Sequence, residues 1–238
     1  MPGVRHSLVR SGWARFFTCL LLITTLSMAT SISRSSDLSA DQRIANLIDD
    51  MTIEEKVGQM SQLHAGDGAA AEVAQEIRAG KVGSILNIVD VETVNELQRV
   101  AVEESRLGIP LLVGRDVIHG FSTIMPIPIG QAATWNMDLV REGSEVAAAE
   151  AAATGVNWTF APMIDISRDP RWGRIAESPG ECVLLTSALA VAMVEGFQGD
   201  DPTATGSIAA CAKHFAGYGA VESGRDYATT NIPETKLR

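Results

Sequence analysis

Short apolar runs alternate along this chain with segments whose apolar positions recur every three or four residues. The second pattern predicts helices over Leu38 to Asp50, Ile53 to Val57, Ala70 to Arg78, Val91 to Ser105, Met137 to Thr154 and Cys182 to Gln198. Their ends carry matching signals. Thr52 followed by Glu55 makes a capping box, Asn136 stands where a side-chain oxygen caps the first turn, and Gly80 and Gly155 stand where helices stop. The apolar runs predict strands near Gly58 to His64, Val82 to Val89, Ile109 to Val117, Trp158 to Ile166 and Ile208 to Lys213. Val82 to Val89 is mostly apolar rather than alternating, as in a parallel strand covered on both faces. Strand and helix in turn describe an α/β fold with a parallel sheet. A doubly wound open sheet and an incomplete (β/α)8 TIM-type barrel both satisfy this alternation. No Gly-x-Gly-x-x-Gly follows a strand, which disfavours the dinucleotide-binding version.

Three of the apolar runs end in dense polar clusters. Val113-Gly114-Arg115-Asp116-Val117-Ile118-His119-Gly120 closes the third strand, and Asp165 to Ser178, with three Arg, a Trp and several carboxylates, closes the fourth. Ala212-Lys213-His214-Phe215-Ala216-Gly217-Tyr218-Gly219 closes the fifth. The second of these could be a surface loop tied by ion pairs, and the His and Lys of the other two could be satisfied structural residues at strand ends. Together they describe one rim, the carboxyl end of the strands, where parallel α/β folds place their chemistry.

On these residues the chain resembles glycoside hydrolase family 3, the β-glucosidase and β-xylosidase group. The blocks are Met51 to Met60, Asp116-Val117-Ile118-His119-Gly120, Ala161-Pro162 with Asp169-Pro170-Arg171-Trp172-Gly173-Arg174, and Lys213-His214-Phe215, in family order over residues 42 to 238. The resemblance implies the barrel, and in it a retaining, exo-acting enzyme that hydrolyses terminal β-D-glucosyl residues. It implies that Asp116, Arg174, Lys213 and His214 bind the non-reducing sugar; His119 and Asp226 are read beside them as candidates to line the pocket. Asp165 and Asp169 read as structural, and Arg171, Trp172 and Glu177 as holding the loop's shape. Retaining hydrolysis needs two carboxyl groups. The family's nucleophilic Asp lies in a Ser-Asp-Trp or Ser-Asp-His context that does not occur here, and its acid/base Glu comes from a second domain. The expectation is an amino-terminal fragment that holds the sugar-binding subsite without the catalysts. Where the β-N-acetylglucosaminidase branch has Lys-His-Phe-Pro-Gly-His-Gly, this chain has Ala216 and Tyr218, and no His follows. That favours the β-glucosidase branch. Cys182 stands where the family often has Asp.

Successive strand residues face opposite ways. For both Lys213 and His214 to reach one sugar, the backbone must depart from strand geometry there, and a cis peptide is one way. Two other functions fit the same residues: a noncatalytic sugar- or partner-binding protein using the half-site, and an aldolase-type lyase with Lys213 as Schiff-base lysine.

Residues 1 to 29 read as a secretory signal, with Arg5, Arg10 and Arg15 ahead of the apolar run Phe16 to Leu26 and small residues up to Ala29. Residues 30 to 41 read as a flexible lead-in. The signal holds three of the 19 Lys and Arg and none of the 29 acids, so the mature chain is more acidic than the −10 of the whole. That disfavours nucleic acid and anionic membrane surfaces as partners, and a periplasmic or extracellular place with a neutral β-glucoside or short β-linked oligosaccharide as substrate is expected. Cys182 and Cys211 read as two buried thiols rather than a bridge. No Cys or His pair has metal-ligand spacing, and no cofactor or metal is expected.

Overall fold

The structure, a computed structural model, describes residues 38–237. The signal segment expected over residues 1 to 29 and most of the lead-in lie outside the described residues. The chain divides into two compact units at Met51 and Thr52. Of the first unit, the described part is helix α1 (Ala40–Asp50), whose Ser39 and Gln42 form a reciprocal capping box, so the helix begins inside the segment expected as lead-in.

The second unit is a run of β/α units. In chain order it comprises α2 (Ile53–Gln59), β1 (Gln62–His64), α3 (Ala70–Arg78), β2 (Ser84–Leu86) and α4 (Val91–Arg99), which continues as π-helix through Val100–Glu104. There follow β3 (Leu112–Arg115), α5 (Pro128–Ala132), α6 (Met137–Ala152), β4 (Trp158–Thr159), α7 (Val183–Gln198), β5 (Ala209–Ala210) and α8 (Glu234–Leu237). The five strands are all parallel, in the order β1-β2-β3-β4-β5. A doubly wound sheet reverses its strand order at a switch point, whereas a barrel adds each strand beside the last. The sequential order therefore selects the barrel, present here as five of its strands.

The local signals act where they were read. The Thr52 hydroxyl accepts from the Glu55 amide at 3.2 Å, and the Glu55 carboxylate accepts from the Thr52 amide at 2.9 Å. Glu55 also receives two hydrogen bonds from Arg106, at 2.8 and 2.5 Å, which hold its carboxyl down at about 2 and tie α2 to the end of the fourth helix. Asn136 caps α6 through the Leu139 amide at 3.1 Å.

The strands are shorter than the apolar runs. Gly58 belongs to α2 and Gly58 to Ser61 carry no strand, and the run Trp158 to Ile166 keeps only two ladder residues and the isolated bridge Met163 to Lys213. An apolar run reports burial, which extends past the hydrogen-bonded ladder. Ile85 and Val113 on the strands, and Val117 just beyond one, are all fully buried. Pro162 also has no N–H to give to a ladder. Helix α5 had no periodic signal; Pro128 starts it, the fixed φ of proline suiting a first turn.

The core lies between the sheet and its helices, where Val94, Leu97, Leu189, Phe197 and Ile208 join the strand residues. Helices α6 and α7 pack against each other. A Cβ on Gly196 would sit 2.4 Å from the Arg141 carbonyl, so glycine sets how near α7 comes to α6. The cysteine expectation needs correcting: both thiols are free, but Cys182 is exposed at the start of α7 and Cys211 is only half-buried. Cys182 is exposed because it stands at the N-cap, outside the helix it begins.

Candidate functional site

Asp116 is the first residue beyond β3, and Lys213 lies three residues beyond β5. Lys213 is held against the preceding strand segment by two backbone bonds, from its amide to the Pro162 carbonyl at 3.0 Å and from the Ile164 amide to its carbonyl at 2.7 Å. Arg174 and Glu177 lie on the short 3-10 helix Gly173–Glu177, in the polar segment that follows β4. These elements bring Asp116, His119, Arg174, Glu177, Lys213 and His214 to the wall of one cavity of about 650 Å³, completed by Ile118, Gly120 and Ile124. That volume suits a small ligand. Of the six residues read from the sequence as candidates, five line it. Asp226 does not: its Oδ1 accepts from the Trp172 indole N–H at 2.9 Å and from the Tyr218 hydroxyl at 2.6 Å.

The charges in this cavity are paired. Lys213 Nζ donates to Asp116 Oδ1 at 2.6 Å. Arg174 grips Glu177 through two parallel bonds, Nε to Oε1 and a terminal nitrogen to Oε2, both 2.7 Å. These bonds hold the Glu177 carboxyl below its ordinary value against the opposing effect of burial, with smaller help from Lys213 and His214. Arg174 thus ties the loop and lines the cavity at once. His119 Nδ1 is 3.1 Å from the Met125 carbonyl, which can only accept, so Nδ1 carries the proton there.

The peptide between Lys213 and His214 is cis, and so are Ala161–Pro162 and Phe215–Ala216. Both Lys213 and His214 line the same cavity.

Two residues that hold the site were not singled out for it from the sequence. Tyr218 stands between two glycines, with the Arg174 guanidinium 5.5 Å from its ring centre and the His214 ring edge-on at 4.9 Å. Its other flank meets Trp172, which is fully buried. Asp165 is buried beneath His214, and its Oδ2 accepts from the His214 amide at 3.2 Å and lies 2.8 Å from Nδ1. Its place at the end of an apolar run was the available signal. Asp169 pairs with Arg171, which holds its carboxyl at about 2.

A larger cleft, about 860 Å³, shares His214 with this cavity and includes Ile164, Asp165, Val183, Phe215 and Ile232. It contains none of Asp116, Arg174 or Lys213. Among the described residues there is no group of three His, Cys, Asp or Glu able to hold a metal ion, and no helix long and apolar enough to cross a membrane.

Residues 52–238 match the family model for the glycosyl hydrolase family 3 N terminal domain. The chain is 42% identical over 198 residues to a periplasmic beta-glucosidase of Salmonella typhimurium, covering 83% of this chain and 26% of that protein. It is 33% identical to a putative beta-xylosidase of Formosa agariphila, covering 93% of this chain and 32% of the other. The structure of a beta-glucosidase from Listeria innocua in complex with glucose superimposes with a TM-score of 0.77 at 38% identity, over 84% of this chain and 30% of that one. The chain thus spans between a quarter and a third of the length of these relatives.

Proposed function

Because this chain belongs to glycosyl hydrolase family 3, we propose that its cavity grips the terminal, non-reducing glucosyl residue of a β-glucoside or short β-linked oligosaccharide. The observation that carries the reading is the convergence of Asp116, Arg174, Lys213 and His214 on one small-ligand cavity at the carboxyl end of parallel strands. The groups suit a sugar. Asp116 accepts from hydroxyls, while Lys213 and Arg174 donate to ring or hydroxyl oxygens. The full reaction would be retaining exo-hydrolysis, with the nucleophilic Asp and the acid/base Glu supplied from beyond residue 238. Taken alone, residues 1–238 bind without hydrolysing. The periplasmic relative from Salmonella and the basic-then-apolar start of the chain support export.

Glucose titrated into the purified chain tests the reading. Asp116→Ala removes a charged acceptor, and such hydrogen bonds contribute about 1.5–3 kcal/mol, so affinity should fall roughly 10- to 100-fold. An Asp116→Ala chain that binds glucose as well as the parent by calorimetry would remove Asp116 from the site.

A further inference from the structure

His214 and the carboxylate beneath it form a pair whose geometry goes past sugar contact. Asp165 Oδ2 takes the His214 backbone amide at 3.2 Å and lies 2.8 Å from the ring Nδ1. An amide can only donate, so Oδ2 already serves as an acceptor, and a ring donating Nδ1–H gives it a second bond of the same kind. The burial is lopsided: the Asp165 side chain is 1% exposed and the His214 side chain 31%. Nδ1 faces the buried partner, so the exposed edge of the ring is the one that carries Nε2. Among the described residues, Nε2 has no hydrogen-bond partner. The second Asp165 oxygen, Oδ1, is buried and unpartnered as well. A carboxylate with one unsatisfied buried oxygen is an expensive way to fill space, since an apolar side chain of similar size would fill it without that cost. What the carboxylate does, and an apolar side chain would not, is fix where the ring proton sits and how the ring is turned.

We propose that Asp165 is the positioning residue of this site: it holds the His214 proton at Nδ1 and turns the unprotonated Nε2 toward the cavity as the acceptor for one sugar hydroxyl. The inference rests on the sugar-binding reading above and adds to it the direction of one hydrogen bond. Asp116 and His214 then accept, Lys213 and Arg174 donate, and the cavity presents both senses to a neutral polyol. Tyr218, edge-on to the His214 ring, limits its rotation from the side while Asp165 fixes it from below.

The test is the ring nitrogen spectrum of His214 in the whole chain, labelled with ¹⁵N-histidine, in mildly alkaline buffer where an ordinary imidazole is neutral. Loss of its signals in His214→Gln assigns them. The parent should show Nδ1 protonated and Nε2 bare, and glucose should move the Nε2 signal. Asp165→Asn can keep an oxygen facing the ring and should retain the Nδ1–H pattern, with glucose affinity within about threefold of the parent, or about 0.7 kcal/mol. Asp165→Ala should shift the proton wholly or partly to Nε2 and weaken glucose binding about tenfold, equivalent to 1.4 kcal/mol. A parent chain already protonated at Nε2 would overturn the proposal without any variant having to fold. So would Asp165→Ala with the parent's ring pattern, or with a switched pattern and unchanged glucose affinity. A parent with the Nδ1–H pattern but no glucose binding would instead overturn the sugar-site reading beneath the inference.

Discussion

The purified chain mixed with nitrophenyl β-glucoside will release nitrophenol no faster than buffer does. Retaining hydrolysis needs one carboxylate to attack the anomeric carbon and one protonated carboxyl to hand its proton to the leaving oxygen. The cavity wall includes two carboxyl groups, Asp116 and Glu177. Glu177 is clamped by Nε and a terminal nitrogen of Arg174 and held below its ordinary pKa, the opposite of what a general acid near neutral pH requires. Asp116 is bonded to Lys213 at 2.6 Å, an arrangement suited to holding a hydroxyl rather than attacking carbon. Enzymes accelerate such reactions by at least about a millionfold, so residual catalysis would be plain in a simple absorbance assay. Turnover above the buffer blank that disappears in Asp116→Ala would mean that the catalysts lie within these 238 residues.

The second large effect concerns Trp172. It is fully buried with Met163 and Val221, donates its indole N–H to Asp226, and meets Tyr218 edge-on at 5.2 Å. Tyr218 in turn flanks Arg174 and His214. Trp172→Ala should cost about 3–5 kcal/mol of stability, the usual range for deleting a buried aromatic ring. It also leaves Asp226 with one donor fewer, and frees Tyr218 on the side away from the cavity. Urea unfolding followed by far-UV circular dichroism measures the loss. A change below about 1 kcal/mol would show that the loop after β4 is held by other contacts.

How much of this was legible in the sequence depends on how far apart the cooperating residues lie. The Thr52–Glu55 box and the Asn136 cap are three-residue interactions, and the helices they begin start where the residues say. The strands were overdrawn because Ile164 and Ile166 continue an apolar run after the β4 ladder has ended at Thr159. The parallel order, and with it the choice between open sheet and barrel, is a long-range property that no local pattern carries. At the site, Asp116, Arg174, Lys213 and His214 were visible as polar ends of apolar runs and as family motifs. The long-range pairings that support them were not. Asp165 meets His214 across 49 residues and Trp172 meets Asp226 across 54, and neither spacing has a sequence signature. Asp226, a candidate to line the pocket, is instead turned to the support of Trp172 and Tyr218 by its two bonds to them.

Whether these four side chains hold one sugar in one cavity can be read from the amide and side-chain spectrum of the ¹⁵N-labelled chain as glucose is added. Saturable shifts should be confined to Asp116, Arg174, Lys213, His214 and their immediate neighbours around the 650 Å³ cavity. Shifts centred instead on the larger cleft at Phe215 and Ile232, with Asp116 and Arg174 unmoved, would contradict it.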